Sequence, residues 1–327
     1  MGASMDFSQP CLSRWVVAAV AAVLAQASAA ADQARFPEKP VETIVPYSIG
    51  GGVGAMARAF ATEAAKVTGQ PWVVTPREGA GGVVGFTYLS RAKPDGYSVV
   101  FSPASPMTNA PFINASMPFP NTQIQPVCQV FENVFTIAVG EKSTIRNFSD
   151  LVARARSNPG SVSFGHAGPG SVGHLSVAAV ERALKVKFNA IAYRGDAPAI
   201  TDAMGGTLDF SAPAISSIAG KNLRVLAVLS EKRHPGYPDV PSIAELGVPS
   251  VTPGLNGLFV PAGTPAPVIE DIERLCEKVT TSASFSDSAK TLMQVPQFLS
   301  ATAFRARIDT VYKANAALVP ELKLEKN

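Results

Sequence analysis

An apolar run, Ile44-Val45-Pro46-Tyr47, breaks into Ser48-Ile49-Gly50-Gly51-Gly52-Val53-Gly54 and feeds a helix pattern from Ala55. A strand that ends in a glycine turn ahead of a helix leaves backbone N–H groups free at the helix N-terminus. The positive end of the helix dipole points the same way, so the junction suits an anion. Glycine lets a ligand approach the backbone there and permits positive φ. A second junction of this kind lies at Gly165-His166-Ala167-Gly168-Pro169-Gly170-Ser171-Val172-Gly173-His174. The two are expected to face each other across a cleft.

The rest of the chain repeats the strand-then-helix rhythm. Residues 41–47 read as a strand, and 56–67 as a helix with Met56, Phe60, Ala64 and Val67 on one face, ended by Gly69. A strand at 72–74, a glycine turn at 79–82, a helix at 83–92 and a strand at 97–101 follow. Residues 102–125 hold five prolines and read as an irregular excursion that reaches the cleft rim. The rhythm then resumes: strand 135–139, helix 148–156, strand 162–164, helix 172–184, strand 189–193, helix 197–204, strand 207–211, a helical turn at 214–219 and strand 223–229. After a proline-marked connection, a strand at 257–260 precedes Thr264-Pro265, which reads as a helix start, and further helix closes the chain. Such alternation marks mainly parallel sheets with covering helices. The expected arrangement is two α/β lobes, 36–135 with 251–327 and 136–250, joined by two crossings that make a hinge.

Composition narrows the function classes. In 327 residues, 46% hydrophobic content supports a large core, and a net charge of +3 without a basic run argues against nucleic acid. Arg14, the apolar run 15–24 and the small residues Ala27-Ser28-Ala29-Ala30-Ala31 form a secretory leader over 1–31, too short to span a bilayer. The expected product is exported and monomeric. Cys128 and Cys276 remain after the leader. Export permits a disulfide, but Cys276 shares an apolar helix face with Val268, Ile272, Leu275 and Val279. The favoured reading is two buried thiols.

Several chemistries fail on their residues. Gly50, Gly52 and Ala55 fit a dinucleotide fingerprint, but the second strand ends at Thr75-Pro76 without an acidic residue for a ribose. No Lys follows the glycines as a P-loop would need. Pro169-Gly170-Ser171-Val172-Gly173 misses the nucleophile-elbow pattern at Pro169, and His174 lies too close along the helix to serve Ser171 as a base. Ser171 is read as a helix cap that also offers its hydroxyl to a ligand. The histidines have no metal-site companions, and no cofactor is expected. Arg194, in Tyr193-Arg194-Gly195, is either a carboxylate partner or a salt-bridge residue. Tyr47 is expected to contact the ligand, because it adjoins the glycine turn.

The chain resembles the extracytoplasmic receptors of tripartite tricarboxylate transporters, the Bug-type receptors. The resemblance rests on Val45-Pro46-Tyr47 with Gly50-Gly51-Gly52, Arg77-Glu78-Gly79-Ala80-Gly81-Gly82, Lys93-Pro94-Asp95-Gly96-Tyr97, Gly170-Ser171 with His174-Leu175, Tyr193-Arg194-Gly195, Ala197-Pro198-Ala199, Gly205-Gly206, Pro238-Asp239-Val240-Pro241 and Pro261-Ala262-Gly263-Thr264-Pro265, in that order. It implies a two-lobed periplasmic-binding-protein fold (type II) that closes by hinge motion on a small organic acid. The receptor would be periplasmic, not an enzyme, and would deliver its ligand to a membrane transporter or, alternatively, to a sensor protein. A different class, a serine hydrolase using Ser171, is the remaining alternative. The expected ligand contacts are Tyr47, Ser48, Gly51, Gly52, Val53, Gly54, Ser102, Ala104, His166, Ala167, Gly170, Ser171, Val172, Gly173, His174, Arg194 and Pro213. Where the family shows Thr or Ser and then Asp after the triple glycine, this chain has Val53 and Gly54. Where it often shows Asp near the cleft, this chain has Pro213. The ligand implied is less polar than a dicarboxylate, such as an aromatic or other monocarboxylate.

Overall fold

The computed structural model describes residues 1–2, 36–248 and 254–322, so the leader expected over 1–31 lies almost wholly outside the described residues. The chain divides into units 1–38 and 39–327, and both sheets belong to the second. Among the described residues no helix is long and apolar enough to cross a membrane.

The first sheet has the order β11-β4-β10-β3-β1-β2, with β1 Val41–Val45, β2 Trp72–Pro76, β3 Ser98–Pro103, β4 Ile124–Asn133, β10 Gly254–Pro261 and β11 Pro296–Leu299. The second has the order β7-β6-β8-β5-β9, with β5 Phe135–Gly140, β6 Ser163–His166, β7 Asn189–Ala192, β8 Phe210–Ser211 and β9 Leu223–Leu229. The principal helices are α1 Gly52–Thr68, α2 Val83–Ser90, α3 Phe148–Ser157, α4 Val172–Leu184, α5 Asp196–Gly205, α6 Ala266–Thr280, α7 Ala283–Thr291 and α8 Ala301–Glu321. This is the two-lobed α/β fold expected.

The sheets are mixed where the alternation predicts them mainly parallel. β1 runs parallel to β2 and β3, and β6 parallel to β7 and β8. β10 is antiparallel to β3 and β4, and β5 is antiparallel to β8 and β9. The crossings supply the reason. β4 carries the chain out of the first sheet at Asn133, and β10 brings it back opposite that residue, so the two must run in opposite senses. In the second sheet, Phe135 of β5 likewise faces Leu229 of β9. The excursion from residue 102 is shorter than expected: two single turns of helix, Ser105–Thr108 and Ala110–Ile113, precede β4.

Each sheet has its own aromatic core. Phe86, Phe259 and Phe304 pack against one face of the first sheet, while Phe60 meets Phe101, Trp72 and Phe285 on the other. Phe164 stacks on Phe210 at 5.2 Å in the second, with Phe188 edge-on to both. Cys128 of β4 and Cys276 of α6 are bonded to each other, which corrects the reading of two buried thiols. The apolar helix face that favoured free thiols packs α6 on the strand carrying the other cysteine, and both residues are fully buried. Thr264 does not cap α6. Its hydroxyl donates to the Pro261 carbonyl, and Pro265 is the cap residue.

Candidate functional site

Residues of the two glycine junctions line one cavity. Gly51 precedes α1 in an extended conformation with no side-chain cap, so the first N–H groups of this helix are open to other partners. Gly52 N donates to Ser217 Oγ at 2.9 Å, across from the second lobe. A Cβ on Gly52 would stand 2.1 Å from Ser216 Oγ, so only glycine permits this approach. Ser48 N donates to the Arg194 carbonyl at 3.0 Å, and Asn109 Nδ2 to the Gly170 carbonyl at 2.9 Å. Gly81, at φ +62°, is nearly as close: a Cβ there would lie 2.2 Å from the Pro169 carbonyl oxygen. The lobes are therefore shut on each other in this structure.

Between them lies a cavity of about 30 Å³, by a measure in which about 10–15 Å³ holds one water. Its walls are Tyr47, Ser48, Gly51, Gly52, Val53, Pro103, Ser105, Phe135, Ala167, Ser171, Val172, Asp196, Ala214 and Ser217. Most of these side chains are apolar or hydroxyl-bearing. Tyr47 Oη donates to the Gly81 carbonyl at 2.6 Å and lies 3.1 Å from Ser105 Oγ. Burial raises its pKa well above the usual phenol value, with the Ser105 hydrogen bond opposing. Ser171 caps α4, its hydroxyl accepting from His174 N at 3.4 Å.

Asp196, the first residue of α5, puts a carboxylate in the cavity wall. Its Oδ2 accepts from Ala214 N at 3.0 Å and from Ser217 Oγ at 2.8 Å. Burial pushes its pKa up, and those two hydrogen bonds pull it back. Ser217 thus links Gly52 of one lobe to Asp196 of the other.

Eight of the expected contact residues line this cavity: Tyr47, Ser48, Gly51, Gly52, Val53, Ala167, Ser171 and Val172. The others lie around it with different engagements. Gly54 packs on the Ile49 backbone, and Gly173 on the Ala212 carbonyl. Ser102 donates to the Pro103 carbonyl, and Ala104 N to Leu255. Gly170 offers its carbonyl to Asn109, and Pro213 its carbonyl to Thr136 N. Arg194 contributes its carbonyl to Ser48 and sends its side chain to solvent, away from the cavity.

His166 and His174 stack on each other at 4.3 Å and brace the second loop from behind. His166 Nδ1 donates to the Gly168 carbonyl at 2.9 Å, and His174 Nδ1 accepts from Gly170 N at 3.2 Å. Burial lowers their pKa values to about 4 and about 3.

Sequence reasoning missed Pro103, Ser105, Phe135, Asp196, Ala214 and Ser217. Asp196 carried a signal, an acidic residue opening a helix right after Tyr193-Arg194-Gly195. Its carboxylate reaches Ala214, the residue after Pro213. Phe135 and Ser217 carried none, because each is placed by the crossing between sheets. Among the described residues no cluster could hold a metal.

Residues 56–316 match the model of the tripartite tricarboxylate transporter family receptor. The chain is 33% identical over 273 residues to a UPF0065 protein of Bordetella bronchiseptica, a match that spans 82% of this chain and 81% of that one. The structure of periplasmic binding protein BugD superimposes with a TM-score of 0.84 at 27% identity, covering 89% of this chain and all of BugD. R. palustris Rpa4515 with adipate shares the fold at the same TM-score, 23% identity and 89% coverage, with all of that chain matched.

Proposed function

The chain belongs to the tripartite tricarboxylate transporter receptor family, a solute-binding receptor and not an enzyme, and we propose that its inter-lobe cavity takes a small organic acid by hinge closure. The observation that carries this is the meeting of two helix N-termini at one cavity. α1 opens at Gly52 and α4 at Val172, and the side chains around both are mostly neutral. The N–H groups of α1, which has no side-chain cap, and the two helix dipoles attract a carboxylate without a cationic side chain. Arg194 is thus not needed as a carboxylate partner. The ligand would hold the lobes together, since it touches both, and binding would shift the population toward the closed state. The adipate named with Rpa4515 accords with an acid ligand.

Closure would rotate lobe 36–135 with 251–327 against lobe 136–250, with one pivot at Val134, whose carbonyl accepts from Ile215 N at 2.8 Å. The other crossing passes through 249–253, outside the described residues. The closed receptor would then deliver its ligand to a membrane transporter from the periplasm, reached through the leader at 1–31. The family description favours this over delivery to a sensor. Val53, Pro103, Phe135, Val172 and Ala214 in the walls support a ligand less polar than a dicarboxylate.

A thermal-shift screen of mono- and dicarboxylates tests the reading. A monocarboxylate present at one hundred times its Kd stabilises by about 2.7 kcal/mol, a rise of roughly 5 °C in Tm. A screen in which no carboxylate moves Tm would remove the receptor reading. One in which only dicarboxylates do would remove the less polar ligand.

A further inference from the structure

The cavity's side-chain hydrogen-bonding groups are nearly all in use. Tyr47 Oη is held by Gly81, Ser105 Oγ by Tyr47, Ser171 Oγ by His174 N, and Ser217 Oγ by Gly52 N and Asp196. Besides the open N–H groups of α1, two side-chain polar atoms are left. Ser48 Oγ is buried without a hydrogen-bond partner. Asp196, a lining residue, makes both of its hydrogen bonds through Oδ2, and its Oδ1 carries none. Both residues line the cavity, and Ser48 N donates to the Arg194 carbonyl two residues before Asp196.

An acceptor-only oxygen in a largely apolar cavity discriminates strongly. A ligand that sets a methylene or its own carboxylate against Oδ1 leaves a desolvated acceptor unpaired. A ligand that sets an O–H or N–H there satisfies it with a charge-assisted hydrogen bond. We propose that Asp196 fixes the ligand class: a carboxylic acid with an apolar body that carries one hydroxyl or ammonium group, donated to Asp196 Oδ1. This inference rests on the carboxylate reading above. The acid group docks at the N-termini of α1 and α4, and the donor group turns to α5.

Matched acids separate the two claims. Calorimetric titrations would use propionate, lactate and alanine, then phenylpropionate, phenyllactate and phenylalanine. The wild type should bind a hydroxy or amino acid at least about tenfold more tightly than the unsubstituted acid on the same skeleton. In Asp196→Asn, the amide oxygen keeps the bonds from Ala214 N and Ser217, and the NH2 group replaces Oδ1. The preference should fall to about twofold or less, or reverse, while the unsubstituted acid still binds. Asp196→Ser, which keeps a short acceptor at the helix start, serves if the Asn variant fails to show a native thermal transition. A wild type that prefers the unsubstituted acids, or a variant that keeps the full preference, overturns the role of Asp196 and leaves the carboxylate site standing. Binding of none of the acids by either protein overturns both.

Discussion

His166 and His174 show how a residue's surroundings redirect it. Read along the chain, they flank the second glycine turn and invite a ligand role. In space they stack face to face and use their Nδ1 atoms to hold the Gly168 carbonyl and the Gly170 N–H. Their pKa values, about 4 and about 3, lie below the ordinary 6.5 because burial opposes the charged form. The folded protein therefore takes up these protons later than the unfolded chain as pH falls. Their contribution is whole above about 6.5 and is lost as pH drops from there toward the folded values. For His166 alone, lowering the pH from 7 to 5 should cost on the order of 2 kcal/mol. Urea denaturation at the two pH values measures the loss, and NMR of the ring protons assigns it. A histidine titrating near 6.5 in the folded protein at this pair would contradict the account.

The close approach of α1 to the turn at Ile215–Ile218 depends on one missing side chain. Alanine at position 52 favours the helix itself, by up to about 1 kcal/mol over glycine. Its Cβ would, however, fall 2.1 Å from Ser216 Oγ and 2.6 Å from the Ser216 carbonyl carbon. Gly52→Ala should therefore leave the fold at least as stable while holding the lobes apart. Small-angle scattering of the variant should give a larger radius of gyration than the wild type. Affinity for the tightest acid from the screen should fall at least about tenfold. An unchanged radius together with an unchanged Kd would show that closure does not need this contact.

The disulfide acts on the molecule as a whole. Cys128 lies on the strand that leaves the first sheet, and Cys276 on the helix that follows the strand returning to it. Their separation of 148 residues encloses every strand of the second sheet. Cross-linking so long a segment restricts the unfolded chain, and removing such a bond from a domain costs about 2–5 kcal/mol. The double variant Cys128→Ser/Cys276→Ser should unfold at clearly lower urea concentration than the oxidised wild type. Equal midpoints would mean that packing of α6 on β4 already supplies the restraint.

Local order was readable from the amino acids. The 3.6-residue spacing of Met56, Phe60 and Ala64 located α1, glycine at 69 ended it, and Ser171 announced the cap of α4. Both glycine junctions and the two-lobed fold followed, because periodicity and turn chemistry act between near neighbours. β4 escaped notice although it is ten residues long. It is buried on nearly every position, so it shows no alternation, and its Pro126 argues locally against a strand. β11 is short and lies at the edge of its sheet. Strand direction, the Cys128–Cys276 bond and the joining of Gly52, Ser217 and Asp196 depend on where the chain crosses between sheets. Contacts spanning 148 and 165 residues leave no mark in a local pattern. The glycines at 50–52 marked a strand-to-helix junction, and the fold set the Asp196 carboxylate in the wall of the cavity that this junction lines.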